Sequence, residues 1–271
     1  MIFQKIISVF LFLIISVFSY GQIYYGKVLD IETNKPIEFI NIGIIGKQIG
    51  TITDENGNFK ITIDNVFSKE SLLFSSISYE DKLIKISELK QNKIIFLQKK
   101  IYELNEIVIH PKNIKLKHKG IKTKTKTLQT GFKNNKLGFE CGLLFKNKKT
   151  AFLKKVNFNI ATCTYDTIFY RLNVYTVDSI GSFVNILKKP IYIQLPKNKI
   201  GDKISIDLSK ENIIVNHNFL ITLEHVKDLG KGLLYFSASV LRKTYFRKTS
   251  QAKWETISVG ISMNIEIEIE Q

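Results

Sequence analysis

The stretch that decides the fold is Gly26-Lys-Val-Leu29, then Pro36, Phe39-Ile-Asn-Ile-Gly-Ile44, Thr53-Asp-Glu-Asn-Gly-Asn-Phe59 and Phe59-Lys-Ile-Thr-Ile63. Ile40, Ile42 and Ile44 alternate with Asn41, Gly43 and Ile45, and Phe59, Ile61 and Ile63 alternate with Lys60, Thr62 and Asp64. A period of two marks half-buried strands. Asn56-Gly57 between them tolerates positive φ and predicts a hairpin turn. Leu72–Ser76, Leu83–Ile86 and Ile94–Leu97 read as further strands, Tyr79–Lys82 as a turn, and Ser87–Lys90 as one helical turn. Roughly seven short strands at this spacing predict a β-sandwich.

The same alternation continues after a break. Residues 111–120, Pro-Lys-Asn-Ile-Lys-Leu-Lys-His-Lys-Gly, are charged and read as a basic linker. Beyond it, strands are expected at Thr123–Thr127, Leu137–Phe145, Phe152–Ala161, Thr167–Val177, Ile191–Gln194, Lys203–Ile206, Phe219–Val226, Leu233–Val240 and Thr256–Glu270. Helical periodicity is nearly absent. The expected fold is all-β, with two antiparallel β-sandwich domains over 22–110 and 121–271, the second jelly-roll-like.

Residues 1–21 read as a signal peptide. Lys5 supplies positive charge, Ile6–Phe18 is apolar apart from Ser8 and Ser16, and Ser19-Tyr20-Gly21 fits a cleavage site before Gln22. The apolar run falls short of the roughly 20 residues a membrane helix needs. No later segment reaches 18 apolar residues, so no transmembrane span is expected in the mature chain. The predicted location is the periplasm, the outer membrane or the cell surface.

The net charge of +16 favours anionic partners, but an exported chain rarely meets nucleic acid, and none is expected as a partner. Charge is uneven. Fourteen lysines and one acid, Glu140, lie between His110 and Lys155, whereas the last strand carries Glu266, Glu268 and Glu270. Lys122, Lys124 and Lys126 alternate with Thr123, Thr125 and Thr127, so the first and last strands of the second domain are expected to pair through opposite charges. Cys141 and Cys163 are expected as free thiols, because a hairpin at 147–150 would hold them about 23 Å apart at strand rise.

Several of these motifs point to one family. Gly26–Asp30, Pro36–Asn41, Gly50–Phe59, Leu72–Tyr79 and Leu104–Ile109 together resemble the carboxypeptidase regulatory-like domain, with Ser78 where that family commonly has Gly. The resemblance covers about a third of the chain. It implies a transthyretin-like sandwich, a module that often begins outer-membrane TonB-dependent receptors and accompanies secreted peptidases. Only about 160 residues follow, too few for a receptor barrel of 9–11-residue membrane strands. Arg171–Tyr175 and Tyr245–Trp254 look similar to jelly-roll modules found behind this domain.

His110, His118, His217 and His225 form neither His-x-x-Glu nor His-Glu-x-x-His, so no metal site is expected. There is no Gly-x-Ser-x-Gly elbow. Asp54-x-Asn56-Gly57 superficially suggests a calcium loop, but Asn65 stands where the bidentate acid is needed, and no cofactor is expected. Arg171, Glu224 and His225 are the only polar seeds for a hydrolase. The candidate ligand-binding residues are Trp254, Tyr245, Arg247, Tyr170 and Arg171, with Lys122, Lys124 and Lys126 for an anionic partner. Tyr170 and Arg171 differ in strand parity, so one must point inward.

The expected function is therefore non-enzymatic: an exported binding or scaffolding protein of the Gram-negative envelope, with envelope proteins or glycans as partners. A module binding a glycan or anionic surface polymer is one alternative, and a hydrolase with a loop-assembled site in the second domain is another.

Overall fold

The computed structural model describes residues 21–89, 93–101, 114–240 and 242–270. Apart from Gly21, the expected leader lies outside the described residues, as do residues 111–113 and the Leu104–Ile109 motif.

The first module contains β1 (Gly21–Asp30), β2 (Asn41–Gly43), β3 (Gly50–Ile52), β4 (Asn58–Asp64), β5 (Ser71–Ser75), β6 (Lys82–Lys85) and β7 (Lys93–Leu97). They form two sheets, β4-β1-β7 and β3-β2-β5-β6. β4 buries every second residue, as its alternation requires. Val28, Ile40, Ile42, Phe59, Ile61, Ile63, Leu72 and Phe74 interleave between the sheets. One pairing departs from the antiparallel expectation, since β1 and β7 run parallel.

Asn56-Gly57 does make a tight turn, with Gly57 at φ +73°. The turn carries the chain from one sheet to the other rather than closing a hairpin, because β3 and β4 belong to different sheets. Asp54 explains the turn without an ion, its carboxylate accepting from the Asn56 and Asn58 amides at 2.9 and 2.8 Å. Asp30 and Tyr79 lock the far end of the module. The Asp30 carboxylate accepts from the Thr33 amide at 2.8 Å and the Tyr79 hydroxyl at 3.0 Å. The hydrogen bond donated by the Thr33 amide chiefly holds its pKa down, to about 2.

The second module contains β8 (Ile114–Gly120), β9 (Gln129–Lys133), β10 (Glu140–Phe145), β11 (Ala151–Cys163), β12 (Thr167–Val177), β13 (Phe183–Asn185), β14 (Ile191–Pro196), β15 (Lys203–Asp207) and β16 (Ile214–Val215). It continues with β17 (Phe219–His225), β18 (Leu233–Ser239), β19 (Thr244–Arg247), β20 (Glu255–Ile257), β21 (Gly260–Ile261) and β22 (Met263–Glu270). A seven-stranded sheet runs β13-β12-β17-β10-β19-β20 with β14 on β12, and an eight-stranded sheet is built on β21-β18-β11-β22-β8. Their inner faces share one core that includes Phe132, Leu143, Phe158, Tyr170, Leu172, Phe236 and Ile265. Both modules are sandwiches and the described residues contain no α-helix.

Three expectations need correction. Residues 114–120 are a strand rather than linker: Ile114, Leu116 and His118 alternate with lysines, and the strand pairs with β22. The Lys122–Lys126 stretch is not a strand, because its threonine hydroxyls bond locally in place of a ladder, Thr125 to Thr127 at 2.8 Å among them. The first strand of this module therefore does neighbour the last, but it is β8, and the acids of β22 pair instead with β11, Lys155 to Glu266 at 3.4 Å and Lys154 to Glu268 at 3.3 Å. Finally, β10 and β11 lie in opposite sheets, so no hairpin joins them at 147–150. Cys141 and Cys163 are free thiols, the first buried and the second half-buried.

Candidate functional site

β17 is buried on both faces along its whole length. In an antiparallel sheet with one solvated face, half its residues would be exposed. The second cover comes in part from the first module, which seats on the outer face of the seven-stranded sheet. Phe39 and Ile52 pack there against Val226, Phe169 and Tyr192. Gly50 and Gly43 are needed at this seam, since a Cβ on either would lie 2.4 or 2.5 Å from the Ser250 carbonyl oxygen. The Gly46 amide donates to the Gln251 carbonyl at 2.8 Å.

Beneath the seam runs a row of four charged residues on adjacent strands. Arg171 on β12 lies opposite Glu224 on β17, Glu224 opposite Glu140 on β10, and Glu140 opposite Arg247 on β19. All four are buried, the two glutamates completely. Arg171 donates to one Glu224 oxygen through Nε at 3.1 Å and Nη2 at 2.8 Å. It also donates to the Phe39 carbonyl at 2.8 Å and to Asn41 Oδ1 at 2.5 Å, both in the first module. Arg247 holds Glu140 through Nε at 2.7 Å and Nη2 at 2.6 Å. Asn173 and Tyr175 each donate to Glu140 at 2.9 Å, Thr222 donates to it as well, and Asn173 also donates to Glu224 at 2.9 Å.

The row balances its own charge, two guanidinium groups against two carboxylates. Burial pushes Glu224 upward, but Arg171 and Arg247 outweigh it and the net shift is downward. For Glu140 burial prevails, aided by Glu224 and opposed by Arg247, and the net shift is upward. The Glu224 Oε1 atom has no hydrogen-bond partner, and Arg247 Nη2 stands 3.8 Å from it.

A cleft of about 310 Å³ opens at the seam beside this row. Asn41, Ser75, Ser76, Asp81 and Lys100 line it from the first module, and Arg171, Asn173, Tyr175, Phe183, Asn185, Arg247 and Gln251 from the second. A second hollow of about 560 Å³ lies between Phe39, Thr53, Glu55, Leu137 and Lys227. Its polar groups are largely paired already, Lys227 with Glu55 at 2.7 Å and the Thr53 hydroxyl with Ile40 N and Ile37 O.

The sequence-derived candidates divide accordingly. Arg247 lines the cleft with its guanidinium 5.1 Å from the Trp254 ring. Trp254 and Tyr245 are half-buried around Phe183, with centroids at 5.5 and 5.7 Å and interplanar angles of 67° and 80°. These edge-to-face rings make no flat platform. Tyr170 is withdrawn as a ligand contact, because it is fully buried on the inner face, 4.5 Å from Phe132. Lys122, Lys124 and Lys126 are exposed along the other sheet, where Lys126 meets Asp202 at 3.4 Å, and they do not join the cleft. His225 faces the core, against Tyr170 at 5.3 Å and Asn135 at 2.9 Å, so it does not converge with Arg171 and Glu224. Among the described residues no cluster of His, Cys, Asp and Glu is arranged to hold a metal.

Glu140, Asn173 and Thr222 were not picked out as site residues. A signal for the row was present: the chain has three arginines, Arg171, Arg242 and Arg247, among 40 basic residues. Arg, unlike Lys, suits buried bidentate pairing.

Residues 24–109 match the family model of the CarboxypepD_reg-like domain. The chain matches no curated protein. Among solved structures it is similar to the crystal structure of the infectious bursal disease virus VP2 subviral particle, at 8% identity and a TM-score of 0.28, over 93% of this chain and 66% of that one. A TM-score of 0.28 is too low to establish a shared fold.

Proposed function

We propose that this chain is a non-enzymatic binding and scaffolding protein of the Gram-negative cell envelope, exported to the periplasm or outer membrane. The observation that carries the proposal is Arg171, which joins a buried glutamate of the second module to the backbone and Asn41 side chain of the first. That bond makes a fixed platform with a polar cleft at its seam. The CarboxypepD_reg-like domain is compatible with a binding module. The hydrolase alternative loses support because Arg171 and Glu224 are occupied with each other while His225 faces the opposite side of the sheet. The test is fractionation of the tagged chain in its host, with chromogenic ester, amide and glycoside substrates offered to the purified protein. Envelope location without turnover is expected. Cytoplasmic retention or turnover would contradict the proposal.

A further inference from the structure

We propose that the seam cleft binds an uncharged sugar unit. This rests on the reading of the chain as a binding protein and specifies its ligand class. Arg247 lines the cleft, nine-tenths buried, and its bonds to Glu140 and Tyr175 run through Nε and Nη2, which leaves the Nη1 donor outside them. Asn41 accepts from Arg171 through Oδ1, and its amide nitrogen is a further donor group in the cleft wall. Gln251 donates to Ser75 through Nε2 at 2.6 Å, which leaves Oε1 as an acceptor. Donor groups of Arg247 and Asn41 and the amide oxygen of Gln251 thus belong to residues lining a small hollow that also carries the Phe183 ring.

The charge balance selects against anions. Arg171 and Arg247 each have a carboxylate within 3.1 Å, and the third cation, Lys100, stands 3.8 Å from Asp81. An incoming anion would meet a neutral ensemble, so hydrogen bonds rather than Coulomb attraction must hold the ligand. Vicinal hydroxyls donate and accept at once and match the mixed set left open. A volume of about 310 Å³ lies at the small end of ligand pockets, roughly 300–1,000 Å³, which limits occupancy to one or two sugar units. The Phe183 ring supplies an apolar side to the hollow.

The test uses the mature chain and Trp254, its only tryptophan, which lies against both Phe183 and Arg247. Maltose, cellobiose, mannobiose and N,N′-diacetylchitobiose are titrated by fluorescence and calorimetry, beside glucuronate and sulfate. At least one neutral disaccharide is expected to bind saturably, with an affinity that changes less than about twofold between low and high salt. Gln251→Ala and Phe183→Ala should each weaken it by roughly tenfold, as loss of one good contact does, while Lys122→Ala leaves it unchanged. Failure of all four neutral sugars, or salt-sensitive binding of glucuronate or sulfate alone, overturns the inference and leaves the binding-protein reading intact. Hydrolysis of a bound sugar would instead overturn the non-enzymatic reading and leave the site standing.

Discussion

Replacing Arg171 by Met should unlatch the two modules and destabilise the chain more than any surface change. The guanidinium makes two bonds to Glu224 and two to the first module, and its side chain is 4% exposed. Removing it leaves the Glu224 carboxylate fully buried, with Oε1 already unpartnered and only Arg247 Nη2, 3.8 Å away, as a remaining cation. Breaking a buried pair from one side costs about 3–5 kcal/mol, because a buried charge is left behind. With an urea m-value of about 3 kcal/mol/M, the midpoint should fall by roughly 1–1.7 M. The assay is urea unfolding followed by Trp254 fluorescence and by far-ultraviolet dichroism. The partner test is Arg171→Met with Glu224→Met, which removes both charges and should recover more than half of the loss, since an apolar pair of similar volume is often neutral. A single-variant shift below about 0.3 M, or a double variant no better than the single, would refute the assigned role of the ion pair.

Burial holds the pKa of His225 down, to about 4 from 6.5. A depressed folded pKa means that the unfolded chain binds the proton first, so stability is complete above pH 6.5 and falls by about 3 kcal/mol as pH drops to 4. Denaturation midpoints across that range should show the slope, and His225→Phe should flatten it. Gly142 leaves no room for a side chain, because a Cβ would stand 1.9 Å from the Ile221 carbonyl oxygen. Gly142→Ala should therefore force β10 from β17 at a cost of about 1–3 kcal/mol or more, read by calorimetry. Both thiols are raised by burial, Cys141 more than Cys163. A thiol reagent should consume Cys163 slowly in the native chain and Cys141 only after unfolding, and equal rates would contradict the buried position of Cys141.

The alternation of Phe59, Ile61 and Ile63 was enough to place β4, and Thr167–Val177 emerged with the bounds the alternation gave. What the pattern could not carry was the second burial of one sheet face. Strand parity correctly set Tyr170 and Arg171 on opposite faces, yet a polar outer face reads as solvated in a single sequence. Glu140 therefore looked like a lone acid in a lysine-rich stretch. It is instead the acceptor for Arg247, Tyr175, Asn173 and Thr222, brought together by pairings of residues 33 to 107 apart. β8 was missed for a related reason. Its lysines share a side with Ile265, Ile267 and Ile269 and its apolar residues face outward, inverting the expected polarity at a sheet edge.

The seam cleft and its buried charged row require the first module to be docked on the second. Glu55 and Lys227 lie in different modules, 172 residues apart, with carboxylate and amine at 2.7 Å. A zero-length carbodiimide cross-link between them, read by peptide mass spectrometry on the monomeric chain, tests the docking directly, and Lys154–Glu268 at 3.3 Å serves as the control within one module. Docked modules predict both cross-links. The control link without the Glu55–Lys227 link would contradict the account.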